Sequence, residues 1–213
     1  MKFHHSIPLT PWRAASTWHL RPRMVLPLAG GLSLFGFGEG LLVQSRLGAS
    51  PWTVFAEGLG HLLGISIGTA TGLISLTVML LWIPLREKPG LGTISNILII
   101  AEVLNLSVEY LPVQHALLLR SIYVLAGVGA VGVGSALYLT TGLGPGPRDG
   151  LMTSLHRHFQ VSIVYVRLSI EATVLFVGWL LGGTVGFGTA IFAALIGYSI
   201  GASLSIVAEL VEG

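Results

Sequence analysis

The 213-residue chain is 53% hydrophobic and only 9% charged, with a formal net charge of +2 and a mean hydropathy of +0.83. A water-soluble domain carries roughly a quarter charged residues, so a chain this poor in charge must turn its outer surface toward lipid. The absence of cysteine excludes disulfides, thiolate metal sites and cysteine nucleophiles. The basic residues sit at candidate helix ends, where they set orientation, and do not form a nucleic-acid-binding face.

Residues 1–23 hold Lys2, Arg13, Arg21 and Arg23, with no apolar core of the kind a secretory signal needs. They read as a basic cytoplasmic tail with an interfacial patch around Trp12 and Trp18. Apolar runs at 24–45, 67–85, 92–111, 116–141, 163–182 and 187–208 then predict six transmembrane helices, each near the roughly 20 residues a bilayer demands. The segments 47–64 and 143–160 are too short and too polar to span. Each opens on a Gly/Pro turn with proline near the first helical position, where its missing N–H costs nothing, and each reads as a half-helix or an interfacial helix. The expected class is therefore an all-α integral membrane protein, with the tail followed by membrane segments 24–112 and 113–213. The tail, Arg86, Lys88, Arg148 and Arg157 fall on one side of this topology, which predicts both termini in the cytoplasm.

Those two segments resemble each other. A shift of 96 positions carries Gly31, Gly36, Gly38, Gly48, Gly90 and Gly92 onto Gly127, Gly132, Gly134, Gly144, Gly186 and Gly188. The same shift carries Leu47-Gly48-x-x-Pro51 onto Leu143-Gly144-x-x-Pro147, and a GxGT turn onto its counterpart. Chance gives about one or two such glycine matches. Three spans per repeat is an odd number, so the copies are expected to enter the membrane in opposite senses, the inverted arrangement of many secondary transporters. Gly48, Pro51, Gly90, Gly92, Gly144, Pro147, Gly186 and Gly188 are the expected structural turns. The pairs Gly36/Gly40, Gly68/Gly72, Gly178/Gly182 and Gly197/Gly201 suit close helix crossings, within one molecule or between two in a homodimer.

Ionisable groups inside a bilayer are costly, so each is a functional candidate. Glu39 lies in the first span, with Ser135 as its repeat equivalent. Glu102, Asn96 and Asn105 lie in the third. Arg167 and Glu171 lie in the fifth, spaced i and i+4, and serve either to neutralise each other or to meet a substrate. In Gly144-Pro145-Gly146-Pro147-Arg148-Asp149-Gly150 two Gly-Pro steps lead into a helix start, where free N–H groups and the Arg148 guanidinium suit a carboxylate or phosphate. Asp149 is expected either to pair with Arg148 or to cap the helix. A plain cap with a cytoplasmic arginine is the alternative for the whole turn. The histidines His4, His5, His156 and His158 are not spaced as metal ligands, and no catalytic or nucleotide-binding motif is present.

The stretches LGASPW (47–52), GLGT (90–93), GLGPGPRDGLM (142–152) and GGTVGFGT (182–189) resemble the bacterial YczE-like membrane proteins, related to the YyaS and YitT group. The resemblance implies a multi-pass protein of the bacterial cytoplasmic membrane and no particular substrate. Together these readings predict a small, cofactor-free secondary transporter for an anionic or zwitterionic solute, coupled to a proton or ion. The expected site residues are Arg148, Asp149, Glu39, Glu171 and Arg167. A non-transporting scaffold for a biosynthetic or envelope complex is the alternative, and a lipid-acting enzyme or flippase a third.

Overall fold

The computed structural model describes residues 7–212, so His4, His5 and Lys2 lie outside the described residues. It is helical throughout, running α1 (Pro22–Ser45), α2 (Pro51–Leu63), α3 (Ile67–Leu80), α4 (Trp82–Leu85), α5 (Leu91–Tyr110), α6 (Leu117–Thr140), α7 (Pro147–Phe159), α8 (Ile163–Leu180) and α9 (Phe187–Glu212). Six segments are long and apolar enough to cross a membrane: α1, α3 continued through α4, α5, α6, α8 and α9. The protein is a polytopic membrane protein. Helices suit the task because lipid offers backbone groups no hydrogen-bond partner, so each span must satisfy its own.

The two intervening helices are short for local reasons. Proline opens both, and α2 stops at Gly64 and α7 at Gln160, each in the left-handed conformation that ends a helix. At about 1.5 Å per residue, such a helix reaches only part of the way through a hydrocarbon core of about 30 Å. Helix starts recur 96 positions apart, Pro51 with Pro147, Ile67 with Ile163 and Leu91 with Phe187.

α1 and α6 form the centre. A Cβ added to Gly31 would lie 2.8 Å from the Gly134 carbonyl oxygen, and one on Gly38 would lie 2.8 Å from that of Gly127. Position 31 meets 134 while 38 meets 127, so the two helices run antiparallel, in backbone contact that only glycine allows. α5 lies along α1 and α9 along α6. Gly36 rests on Ile100 and Val103 of α5, and Gly132 rests on Ser199 of α9. Gly40, Gly68 and Gly178 likewise seat neighbouring helices of the same chain, whereas Gly197 faces open space.

The loops ahead of the short helices cross between the halves. The Gly92 N–H donates to the Leu143 carbonyl at 2.8 Å, and the Gly188 N–H to the Leu47 carbonyl at 2.7 Å. Gly48 (φ 107°) and Gly144 (φ 112°) take backbone conformations closed to other residues at little cost. Among the described residues ahead of α1, those from 12 to 17 are bonded to the bundle. Trp12 Nε1 donates to Thr140 Oγ1 at 3.1 Å, the Ala14 N–H to the Thr141 carbonyl at 2.7 Å and the Leu91 N–H to the Thr17 carbonyl at 2.9 Å. Trp18 remains exposed.

Candidate functional site

The N-terminal turns of α2 and α7 face a common cavity of about 110 Å³, measured to the centre of a water-sized sphere. Glu39 from α1, Arg148 and Asp149 from α7, and Arg167 and Glu171 from α8 all line it, so the structure brings the five sequence candidates to one place. Around them the cavity is walled by Trp52, Tyr138, Thr71, Ser75, Asn96 and Ser135, together with apolar side chains such as Phe35 and Ile196.

Glu39 is fully buried and held by hydroxyls at the start of α2. Ser50 Oγ lies 2.8 Å from each carboxylate oxygen, and Thr53 Oγ1 donates to Oε2 at 2.8 Å. The carboxylate thus sits at a helix N-terminus, where orphan N–H groups and the helix dipole favour an anion. The equivalent position beside α7 is Ser135, whose short side chain brings no charge to that helix start.

Arg148 is in the opposite condition. Its Cζ lies 5.1 Å from the centroid of the Trp52 ring, a cation–π contact. Glu39 and Asp149 attract it through space, yet no carboxylate oxygen comes within 4.0 Å of its nitrogens. Among the described residues it has no hydrogen-bond acceptor. Asp149 neither pairs directly with Arg148 nor caps α7. Its Oδ2 accepts from Tyr138 Oη at 2.6 Å, and the cap is Gly146, without a side-chain bond. The turn is braced from below: Thr93 Oγ1 donates to the Pro145 carbonyl at 2.8 Å, and Trp82 Nε1 to the Pro147 carbonyl at 3.1 Å.

Two more groups in the wall lack partners. Trp52 Nε1 and Thr71 Oγ1 are, among the described residues, the buried side-chain polar atoms with no hydrogen bond. Leaving such a group unsatisfied costs about 1–3 kcal/mol, and both the indole N–H and the hydroxyl can donate to an acceptor in the cavity. Ser75, Asn96 and Ser135 add polar groups to the cavity wall, with no side-chain hydrogen bond among the described residues. Arg167 and Glu171 neutralise each other, with Nε to Oε1 at 2.8 Å along one face of α8.

The other charged and amide side chains of the bundle, the candidates Glu102 and Asn105 among them, lie elsewhere. Glu57 accepts from the Thr184 N–H and Oγ1, and Asn105 accepts from the Gly68 N–H at 2.8 Å. Glu102 borders a separate pocket beside Arg46 and His61. Arg120 donates to the Ser45 and Arg46 carbonyls, closing the C-terminus of α1. Arg157 pairs with Glu87, and His156 Nδ1 lies 2.6 Å from the Val161 carbonyl oxygen. Sequence reasoning missed Trp52, Tyr138 and Thr71 at the cavity. Overlaying the halves offers one signal, because Trp52 is the repeat counterpart of Arg148 and Thr53 that of Asp149.

Residues 22–204 match the model of DUF6198, described as a family of unknown function. The chain is 45% identical over 204 residues to an uncharacterised protein of Haemophilus influenzae, covering 96% of this chain and 94% of that one. It is 32% identical over 176 residues to the uncharacterised membrane protein YczE of Bacillus subtilis, covering 82% of each chain. It is also 27% identical over 183 residues to YyaS of the same organism, covering 83% and 90%. No solved structure matches. Six apolar spans around a shared cavity, with relatives that match nearly end to end, make this chain a member of the DUF6198 family of YczE-like membrane proteins.

Proposed function

We propose that the protein is a small secondary transporter for an anionic or zwitterionic solute, bound between the starts of α2 and α7. The observation that carries this reading is the Arg148 guanidinium, which faces a membrane-embedded cavity with no acceptor of its own. A planar guanidinium with its donors free is matched by a carboxylate or phosphate, and the unpartnered Trp52 Nε1 is a further donor that can only be satisfied by an acceptor. Asp149 gives a zwitterion's ammonium a place to sit. Glu39, buried at the same wall, is our assignment for the coupling group, because a proton or cation arriving there changes the field at Arg148.

The architecture we propose is two three-span repeats inserted in opposite senses. It is supported by the matching helix starts, by the antiparallel run of α1 and α6, and by the reciprocal bonds Gly92–Leu143 and Gly188–Leu47. The helix α2 and its counterpart α7 contribute no span, which leaves three in each repeat. Arg86 and Lys88 flank Glu87, which pairs with Arg157, and the N-terminal segment packs on the start of α5 at that end. By the positive-inside rule we assign this end to the cytoplasm of the bacterial cell membrane.

The test is uptake of a labelled panel of small carboxylates, phosphates and amino acids into vesicles holding the purified protein, under an imposed proton or sodium gradient. We expect gradient-dependent flux for at least one solute, lost at least ten-fold in Arg148→Gln and partly retained in Arg148→Lys. An absence of flux across the panel, with Arg148→Gln equal to the parent in solute-induced thermal stabilisation, would leave the scaffold as the surviving reading.

A further inference from the structure

The two halves differ most at their outer helices. α3 lies close against α5: a Cβ on Gly68 would be 2.1 Å from the Ala101 carbonyl oxygen, and the Gly68 N–H is bonded to Asn105. The counterparts of Gly68, Ala101 and Asn105 are Val164, Gly197 and Gly201. Here α8 leans on α2 and α7 instead of α9, leaving a groove of about 460 Å³ between α8 and α9 on the same measure as the cavity.

The groove has apolar walls, including Val164, Leu168, Ala193 and Ala194, and it is open to the surroundings of the bundle. It also shares Arg167, Glu171 and Ile196 with the cavity that holds Arg148, so the two are neighbouring chambers with an ion pair at their junction. The Arg167 side chain is 43% exposed and that of Glu171 22%. A charged pair this exposed on a membrane span is costly against lipid tails, and a polar group passing between bilayer and cavity is what it would serve.

We propose that the α8–α9 groove is a lateral opening through which the cavity takes a single-chain anionic amphiphile from the bilayer. The head group sits against Arg148 and the Trp52 N–H, and the chain lies along the groove. The cavity offers the donors of Arg148 and Trp52 to a carboxylate or phosphate head, while the groove that adjoins it offers mainly apolar wall to a chain. The proposal rests on the reading of the cavity as a solute site and names the class of solute.

The protein in phosphatidylcholine nanodiscs is exposed to a twelve-carbon carboxylate with a terminal photoactivatable diazirine, and in parallel to the ammonium of the same chain. Labelled peptides are mapped by mass spectrometry. We expect the carboxylate to label α8 and α9 around 164–171 and 193–201, with yield reduced at least ten-fold in Arg148→Gln and in Gly197→Phe, and little labelling by the ammonium. Gly197 lines the groove and has nothing within 4 Å of a Cβ, so a side chain placed there starts in open space; an SDS-unfolding midpoint equal to that of the parent shows that Gly197→Phe is folded. Equal labelling by both head groups, or labelling indifferent to Arg148→Gln, would identify the occupant as ordinary bilayer lipid and overturn the proposal. Butyrate, followed by tryptophan fluorescence, separates the two readings. Arg148-dependent butyrate binding without carboxylate labelling leaves the solute site standing and removes the lateral opening. Loss of Arg148 dependence in both removes both.

Discussion

Gly48 and Gly144 occupy equivalent turns, yet replacing them with alanine should not cost the same. Both backbones are at a φ that side-chain-bearing residues rarely adopt, 107° and 112°, and holding alanine there costs about 1–3 kcal/mol. The surroundings then differ. An alanine Cβ at position 48 would lie 2.4 Å from Thr189 Oγ1 and 2.6 Å from the Gly186 nitrogen, whereas at position 144 the nearest atoms are Thr93 Oγ1 at 3.0 Å and Gly90 at 3.2 Å. The first contact includes backbone that cannot swing aside, which adds an overpacking cost of about 1–3 kcal/mol; the second needs a shift of a few tenths of an ångström. Gly48→Ala should therefore destabilise by about 2–6 kcal/mol and Gly144→Ala by about 1–3 kcal/mol. Gly197→Ala, with open space and no positive φ, serves as the control and should be neutral or up to about 1 kcal/mol stabilising. Unfolding by rising SDS mole fraction in mixed micelles, followed by tryptophan fluorescence, measures all three. A Gly48→Ala no worse than Gly144→Ala, or a Gly197→Ala as costly as either, would refute the reasoning.

Three further outcomes can be read in the same assay. Arg120→Ala removes two charged hydrogen bonds that close the C-terminus of α1 and should cost about 1–3 kcal/mol, with Arg120→Lys intermediate. Gly150→Ala would drive a Cβ to 2.1 Å from the Trp82 ring and should cost about 1–3 kcal/mol; a double-mutant cycle with Trp82→Phe that shows no coupling beyond about 0.5 kcal/mol would contradict that contact. Glu57→Gln weakens the clasp on Thr184 that joins α2 to the loop after α8. It should cost about 1–3 kcal/mol and leave Arg148-dependent solute binding unchanged, as Glu57 does not line the cavity.

The spans and the two Pro-headed helices were legible because the bilayer and the punctuating residues act locally. About 20 apolar residues announce a crossing, and Pro51 and Pro147 mark helix starts whatever surrounds them. The five charged candidates were legible for the converse reason, their expense in lipid. Their partners were not. Tyr138 sits within an apolar run and carries no sign that its hydroxyl meets Asp149 in the first turn of α7, so the alternatives weighed for Asp149, an ion pair or a cap, both missed the bond it makes. Ser50 and Thr53 read as ordinary turn residues, because their role depends on α1 bringing Glu39 against them. The gap between α8 and α9 was not legible, since Val164, Gly197 and Gly201 in place of Gly68, Ala101 and Asn105 are ordinary in an apolar span and matter only through which helix α8 leans on.

Likeness and difference between positions 96 apart follow what surrounds them. The positions that match across the shift of 96, from Gly31 with Gly127 to Gly92 with Gly188, are those where backbones touch or a turn needs a positive φ. Polar and charged pairs at the cavity diverge: Glu39 with Ser135, Ser50 with Gly146, Trp52 with Arg148 and Thr71 with Arg167, whereas the apolar pair Ile100 and Ile196 on its wall matches. A close backbone approach asks for glycine wherever it occurs, whereas a cavity lined from both halves of the chain needs each kind of polar group once. The start of α2 is already filled by the protein's own carboxylate, held by two hydroxyls. The start of α7 has a serine where that acid would stand and an arginine that lies against Trp52 without a hydrogen-bond acceptor among the described residues. A carboxylate restored by Ser135→Glu should therefore occupy the place of the solute's acid group, engage Arg148 and abolish solute-induced stabilisation without unfolding the protein. Undiminished solute binding in that variant would separate the α7 turn from the site.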